Sequence, residues 1–377
     1  MTHPSAIERP APVAIGASLA EVETPALLVD LDAFDRNLTA MARYAREGGI
    51  RLRPHGKTHK CVSVARLQVE SGAIGLCCQK PAEAEAFAAG GIKDLLVTNE
   101  VVAPAKLRRL ARLTAQARIG ICVDNRDAVE ALKSASAEAS GPIDVYLELD
   151  VGAARCGVDN AADALRLLDA VSAGDRLRFA GIQAYQGGAQ HLRQPAERRA
   201  AIDVALRLLA AVFEALKARG VDPGVITGGG TGTFPFETSS GAYDEIQPGS
   251  YVFMDRDYGD NLWPQDAPRF EQSLFLLTGV MSRRARWAVV DAGHKTHSID
   301  SGMPVVAGRA DLAYDNPSDE HGIIRAADLD ALPRLGERLR LVPGHCDPTV
   351  NLWDWIIGIR GDRVEAVWPI EARGGSS

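Results

Sequence analysis

From about residue 50 to residue 255 the chain alternates short apolar runs with segments of helical periodicity, and this alternation restricts the fold more than any other feature. Eight runs can be counted, at 50–54, 74–79, 94–99, 119–124, 145–150, 179–185, 224–227 and 250–255. Between them lie helical patterns at 81–89, 104–116, 128–137, 161–173 and 195–219. Three of these open on proline, whose fixed φ and missing N–H suit a first helical turn. A strand that returns through a helix rejoins its neighbour in parallel. Eight such units predict an α/β fold built on a closed (β/α)8 barrel, with an open sheet of seven or nine strands as the alternative. From about residue 270 the helices disappear, and runs at 274–281, 287–291, 338–342 and 355–360 predict a C-terminal mostly-β domain. We place the barrel at 26–262 and the β domain at 1–25 and 263–377. The segment 22–30 could instead pair into the β domain; the helix after it carries Phe34, Leu38, Met41 and Ala45 at helical spacing.

At 377 residues the chain exceeds what one ordinary core supports, in keeping with a large barrel and an addition. A net charge of −7 without a long Lys/Arg tract argues against nucleic acid or anionic membrane as partner and favours a small molecule. The Ala/Leu-rich stretch 200–216 carries Asp203, Arg207 and Glu214, so it reads as an amphipathic helix and not as a membrane span. Six cysteines without CxxC spacing, and an N-terminus lacking a basic segment followed by an apolar one, predict a reduced, cytoplasmic protein. No repeat of fixed period is present. The first dozen residues and the closing Gly374-Gly375-Ser376-Ser377 are expected to be disordered.

Barrel chemistry sits at the carboxyl ends of the strands. Reading those ends in order gives Lys57, Gln79, Asn99, Asp124, Arg155, Tyr185, the turn at 228–231 and Gly249-Ser250-Tyr251. Lys57 belongs to Arg53-Pro54-His55-Gly56-Lys57-Thr58-His59-Lys60. A lysine enclosed by barrel walls can have its ammonium pKa pushed down far enough to form a Schiff base with an aldehyde; the alternative is a basic solvent-facing loop. In Thr227-Gly228-Gly229-Gly230-Thr231-Gly232 the missing Cβ atoms let backbone N–H groups converge on an anion, with threonine hydroxyls adding donors. Placed after the seventh strand and beside Gln247-Pro248-Gly249-Ser250 at the eighth, the run occupies the usual phosphate position of such barrels. An aldehyde-binding lysine and a phosphate cradle are the two attachment points of pyridoxal 5′-phosphate. Arg155, after the fifth strand, could hydrogen-bond a pyridine nitrogen and disfavour its protonation, or pair with Asp150 or Glu148. Tyr185 could lie against the ring or simply pack.

A second constellation is His345-Cys346-Asp347. In extended backbone, residues two apart share a side, so His345 and Asp347 could bind one cation while Cys346 faces away; a hydrogen-bonded turn is the alternative. Two protein ligands leave room for water and substrate oxygens, as catalytic metals require. Of the eight histidines, His191 follows the sixth strand and His321 lies in Asp319-Glu320-His321-Gly322; either could be an acid–base group, whereas His294 and His297 read as structural.

The lysine motif, the Arg155 turn, the triple glycine and His345-x-Asp347, in this order, resemble those of the D-threonine aldolases and 3-hydroxy-D-aspartate aldolases. Cys77-Cys78-Gln79-Lys80, Thr98-Asn99-Glu100 and Phe253-Met254-Asp255 extend the resemblance over about 24–374. It implies a metal-activated pyridoxal-phosphate enzyme with a barrel of alanine-racemase N-terminal type, a C-terminal β domain and a homodimer. Lys57 is then the Schiff-base lysine. His345 and Asp347 are ligands of a divalent metal, Arg155 is the pyridine-nitrogen partner, Tyr185 is a residue at the cofactor ring and His191 is a candidate base. Gln79, Gly229, Gly230, Thr231, Gly249, Ser250 and Tyr251 complete the cofactor site. The implied reaction is retro-aldol cleavage of a D-3-hydroxy-amino acid to glycine and an aldehyde. The related D-serine and 3-hydroxyaspartate dehydratases tend to carry cysteine where Asp347 stands. A His/Asp pair suits Mn²⁺ or Mg²⁺ and a His/Cys pair suits zinc, so Asp347 favours the aldolase. A metal-independent racemase and a non-catalytic cofactor carrier are further alternatives. The segment 298–304 is closer to the hydroxyaspartate enzymes, which leaves the preferred substrate open.

Overall fold

A computed structural model describes residues 10–376. The first strand, β1 (Ala26–Asp30), leads through the Asp30 cap into α1 (Leu31–Glu47), whose Phe34, Leu38, Met41 and Ala45 are buried as their spacing predicts. Eight parallel strands follow: β2 (Arg51–Leu52), β3 (Leu76–Cys78), β4 (Asp94–Glu100), β5 (Arg118–Val123), β6 (Ile143–Glu148), β7 (Leu177–Gln183), β8 (Val225–Gly228) and β9 (Glu245–Ile246). They hydrogen-bond in the order β2-β9-β8-β7-β6-β5-β4-β3. The ring closes where the Ile74 N–H donates to Leu52 O at 2.9 Å and the Cys77 N–H to Pro54 O at 2.8 Å. Outside the ring run α2 (Val62–Glu70), α3 (Pro81–Ala89), α4 (Pro104–Leu113), α5 (Arg126–Ala135), α6 (Ala161–Ser172), α7 (Pro195–Ala218) and α8 (Phe234–Ser240). Proline opens α3, α4 and α7; Asn125 and Asn160 cap α5 and α6 by accepting the N–H three residues on, at 2.8 and 2.9 Å. Cys77, Leu96, Cys122 and Tyr146 pack together as one core cluster.

The eighth strand differs from the expectation. The apolar run at 250–255 is not a strand: β9 ends at Ile246, and Ser250–Val252 forms a 3-10 turn leading to α9 (Arg256–Gly259). Pro248 lacks the N–H that a ladder needs, and an all-buried turn leaves the same apolar signature as a buried strand. Gly249 and Ser250 therefore follow the eighth strand, at its carboxyl end, instead of opening it.

The second unit contains β10 (Leu274–Arg283), β11 (Ala288–Val290), β12 (Val305–Val306), β13 (Leu312–Asp315), β14 (Gly322–Ala326), β15 (Arg338–Val342), α10 (Cys346–Val350), β16 (Trp355–Arg360) and β17 (Arg363–Pro369). The sheet order is β11-β14-β13-β12-β15-β10-β1-β16-β17, and β11 also pairs with β10, closing six strands on themselves. Ala26–Asp30, placed in the barrel by the division at residue 26, pairs with β10 and β16 in this sheet. Its Leu28 packs with Leu277 and Ile357 in a cluster separate from the barrel core.

Residues 1–9 and 377, on which part of the expected terminal disorder falls, lie outside the described residues. Gly374 and Gly375, also expected to be disordered, are tethered, donating N–H bonds to Asn351 Oδ1 at 3.3 Å and to Ala372 O at 2.9 Å. Among the described residues, no helix is long and apolar enough to cross a membrane.

Candidate active site

The basic octapeptide divides into supports and one reaching group. Arg53 is buried between Glu245, at 2.9 Å, and Asp94, at 2.6 Å, the first residues of β9 and β4, so it braces the amino end of the barrel. His59 is buried, with its Nδ1 accepting from the Cys61 N–H at 3.1 Å and its Nε2 on Gln68 Oε1 at 3.2 Å. Lys60 donates to Asn351 Oδ1 at 2.9 Å and pairs with Glu83 at 3.4 Å. His55 Nδ1 accepts the Lys57 N–H at 3.3 Å, which leaves Nε2 protonated and 3.0 Å from Thr98 Oγ1. Burial, with Lys57 next, pushes the His55 pKa well down, so the ring is neutral. Gln79 Nε2 lies 3.1 Å from the same His55 nitrogen.

Lys57, with His55 and Thr58 beside it, lines a cavity shared with Tyr185, Gly230, Thr231, Gly249, Ser250 and Asp347. Its Nζ stands 3.2 Å from Asp347 Oδ2. The expectation of a depressed lysine pKa is reversed here. The Asp347 carboxylate, outweighing burial, raises it, so the ammonium is retained until a partner draws off that carboxylate's charge.

His345 and Asp347 meet by a different route from the extended backbone expected. His345 is the residue before α10, and Asp347 is inside that helix. The turn still brings His345 Nε2 to 4.0 Å from Asp347 Oδ1, a separation that two donors each about 2.1 Å from one cation can have. Asp255, which the sequence reading left without a role, fixes the imidazole. Its Oδ2 lies 2.7 Å from His345 Nδ1 and accepts the Cys346 N–H at 2.9 Å, so Nε2 is turned toward Asp347. Burial opposes a proton on His345, but the Asp255 bond and Asp347 push its pKa up to about 9. Against the upward effect of burial, Lys57 and His345 hold the Asp347 carboxyl far below the usual range. With Nδ1 committed to Asp255, an ion that displaces the Nε2 proton would find the imidazole and the Asp347 carboxylate as two donors, which fits a divalent cation.

His191 Nδ1 lies 2.6 Å from Asp257 Oδ2, and Arg193 holds the other oxygen of that carboxylate at 2.5 Å. The His191 ring stands edge-on to His345 with centroids 6.3 Å apart. Asp257 was likewise missed; the alternation Asp255-x-Asp257 just beyond the eighth strand was the available signal.

Arg155 lies with its guanidinium carbon 5.8 Å from the Tyr185 ring centre. Asp150, one expected partner, is otherwise engaged: its Oδ1 accepts the Gly152 and Ala154 N–H groups, both at 3.0 Å, and shapes the turn that presents Arg155. Glu148 Oε2 has no hydrogen-bond partner.

At the glycine loop, Gly229 has φ +74°, and a Cβ on Gly230 would strike the buried Gln190 side chain, while one on Gly249 would strike Thr58 Oγ1. The Gly232 N–H donates to Gln190 Oε1 at 2.9 Å and the Tyr251 N–H to Thr231 Oγ1 at 3.2 Å. Among the described residues, the N–H groups of Thr231 and Ser250 have no partner in the chain. Two free donors in a cradle that a side chain would fill fit a phosphate. Tyr251 does not join them through its side chain. That ring packs on Phe270, and its hydroxyl accepts from Gln68 Nε2 at 3.3 Å. His321, the other acid–base candidate, lies at the turn before β14, where its carbonyl accepts the Ser318 N–H at 2.8 Å.

Known proteins match both units of the chain. Residues 29–257 match the alanine racemase N-terminal domain, and 273–359 match a serine dehydratase domain. The chain is 46% identical to a 3-hydroxy-D-aspartate aldolase of Paracoccus denitrificans, over 96% of this chain and 95% of that one. It is 45% identical to a D-threonine aldolase of Arthrobacter, over 98% and 97%. The crystal structure of D-threonine aldolase from Filomicrobium marinum superposes with a TM-score of 0.95 at 47% identity, over 98% of this chain and all of that one. A D-threo-3-hydroxyaspartate dehydratase of Delftia stands further off, at 30% identity over 88% of this chain and 93% of that one.

Proposed function

We propose, because the chain belongs to the family of D-threonine aldolases and 3-hydroxy-D-aspartate aldolases, that it is a carbon–carbon lyase cleaving D-3-hydroxy-amino acids to glycine and an aldehyde. The reading rests above all on one juxtaposition: Asp347 stands between Lys57 Nζ, at 3.2 Å, and His345 Nε2, at 4.0 Å. A lysine suited to an aldehyde cofactor and a two-donor cation site thus share one carboxylate. Pyridoxal 5′-phosphate, when bound, supplies an electron sink for charge developing at Cα, and a divalent ion supplies acidification of the β-hydroxyl.

The chain's own groups do the rest. Lys57 supplies the amine that holds the cofactor, and the free N–H groups of Thr231 and Ser250 hold its phosphate. Arg155 would hold the ring nitrogen by donation and, because guanidinium does not give up its proton, would disfavour protonation there, which would limit racemisation at Cα. Tyr185, which lines the cavity, and Gln79, beside His55, would border the cofactor. His345 Nε2 and Asp347 hold the ion, Mn²⁺ or Mg²⁺ by the hardness of the carboxylate. Asp257 occupies His191 Nδ1, which leaves Nε2 as the atom that takes the substrate hydroxyl proton while the Cα–Cβ bond breaks. We carry forward a homodimer and a cytoplasmic location from the sequence reading.

The test is a screen of D-threonine, D-allo-threonine, D-phenylserine and both 3-hydroxy-D-aspartates for glycine release. Glycine from at least one of them is expected. Keto acid and ammonia in its place would make the protein a dehydratase, and inversion at Cα without cleavage would make it a racemase.

A further inference from the structure

We propose that Glu100, Asp124 and Cys156, backed by Glu148, form a second divalent-cation site, of zinc type, on the barrel rim apart from His345 and Asp347. The strand order brings the carboxylates together. Glu100 ends β4 and is the register partner of Cys122, Asp124 follows the last residue of β5, and Glu148 ends β6. Neighbouring strands lie about 4.8 Å apart, so three acidic side chains converge over three adjacent strand ends. Cys156 enters from the turn that carries Arg155. Carboxylate oxygens of Glu100 and Asp124 and the Cys156 sulfur lie within 4.8 Å of one another, a spread that the donors of one ion can have.

A second observation is independent of that clustering. Glu148 is 4% exposed and its Oε2 has no hydrogen-bond partner; Glu100 Oε1 has none either. Buried carboxylate oxygens in this condition call for a proton or a cation. Without an ion, burial favours the protonated forms of Glu148 and Cys156. Burial, then the charge of Glu100, pushes the Glu148 pKa well up, and burial with the Glu100 bond pushes the Cys156 thiol up to about 12. A contact with the Cys122 thiol and then the positive charge of Arg155 oppose the Glu148 shift, and Arg155 opposes that of Cys156. Mixed oxygen and sulfur donors suit zinc, whose binding displaces the thiol proton. Asp124 Oδ2 already accepts the Gly157 N–H at 3.2 Å, so an ion here fastens the turn at 152–157 to β4 and β5 and holds Arg155 in place.

The inference is independent of the aldolase reading, and its test uses no activity. The full-length chain, stripped with chelator and loaded with Co²⁺, is expected to bind two ions per protomer, and the His345→Ala variant one. That remaining ion should show thiolate-to-cobalt charge-transfer absorption. Adding Cys156→Ser should abolish the band, and adding Asp124→Asn should weaken binding at least about tenfold. Should Asp124→Asn fail to fold, the near-isosteric Cys156→Ser decides the matter alone. No cobalt in His345→Ala, or an ion with the same spectrum in Cys156→Ser, would overturn the proposal.

Discussion

Lys57 and Lys60 lie three residues apart in the same basic stretch, yet their surroundings assign them different work. Lys60 is held by Asn351 and Glu83, whereas Lys57 meets only the carboxylate that the cation site shares. Borohydride reduction of the protein loaded with pyridoxal phosphate should therefore fix the label on Lys57. Lys57→Ala should lose the label and Lys60→Ala keep it; label on Lys60 would transfer the assignment. The lysine itself was legible in the sequence, because its position after a strand carries meaning. Its raised pKa was not, because Asp347 lies 290 positions away and only the fold brings it near. The same carboxylate gives a second test. Asp347→Cys should shift metal preference toward zinc and lower glycine release by roughly tenfold or more, since a soft ligand replaces a hard one. An unchanged rate and preference would remove Asp347 from the ligand set. His59 predicts a pH effect. Burial pushes its pKa down to about 4 from the ordinary 6.5. Its unfolded form thus takes up a proton first, and the stability it contributes is present above pH 6.5 and lost as pH falls toward 4. The loss is on the order of 3 kcal/mol when complete. In denaturant titrations, His59→Gln should flatten stability between pH 6.5 and 4.5 relative to the parent; parallel curves would count against a neutral buried His59.

At the scale of elements, helix starts on proline were the most readable feature, because proline acts locally: α3, α4 and α7 begin at Pro81, Pro104 and Pro195 as expected. Helix α3 and strands β15 and β16 have the bounds expected from sequence. The eighth barrel strand was misplaced because a buried 3-10 turn and a buried strand present the same apolar run. Strands β12, β13, β14 and β17 were missed; β12 is only two residues long, whereas the alternation of β17 was a signal available to use. The glycine loop is an element whose purpose can be tested by filling it. Gly230→Ala would drive a methyl into Gln190, the residue that also holds the Gly232 N–H. Cofactor affinity should fall about tenfold or more, some 1.4 kcal/mol, with far-ultraviolet dichroism unchanged. Unaltered cofactor retention in a folded variant would remove the phosphate role from this loop.

In the whole molecule the two units meet at the proposed site. The barrel contributes Lys57, His191 and the phosphate cradle, and the β unit contributes His345 and Asp347. The joint is bonded on both sides. Ser250 donates to Asp347 Oδ1 at 3.2 Å, Asp255 holds His345 at 2.7 Å, and the N–H groups of Arg256 and Asp257 donate to Pro343 and Gly344 at 3.0 and 3.1 Å. This placement explains why motifs distant in sequence could be read singly while their shared carboxylate could not. In the proposed reading the cofactor's attachments, Lys57 and the phosphate cradle, differ from the cation's, His345 and Asp347, although Asp347 touches both sides. The most direct measurement of the central claim is product analysis on the cofactor-loaded protein with a D-3-hydroxy-amino acid, before and after exhaustive chelation. Glycine and aldehyde should form in equal amounts, cease on chelation without loss of cofactor, and return with Mn²⁺ or Mg²⁺. Cleavage that continues in the chelated protein, or keto acid with ammonia in place of glycine, would contradict the account.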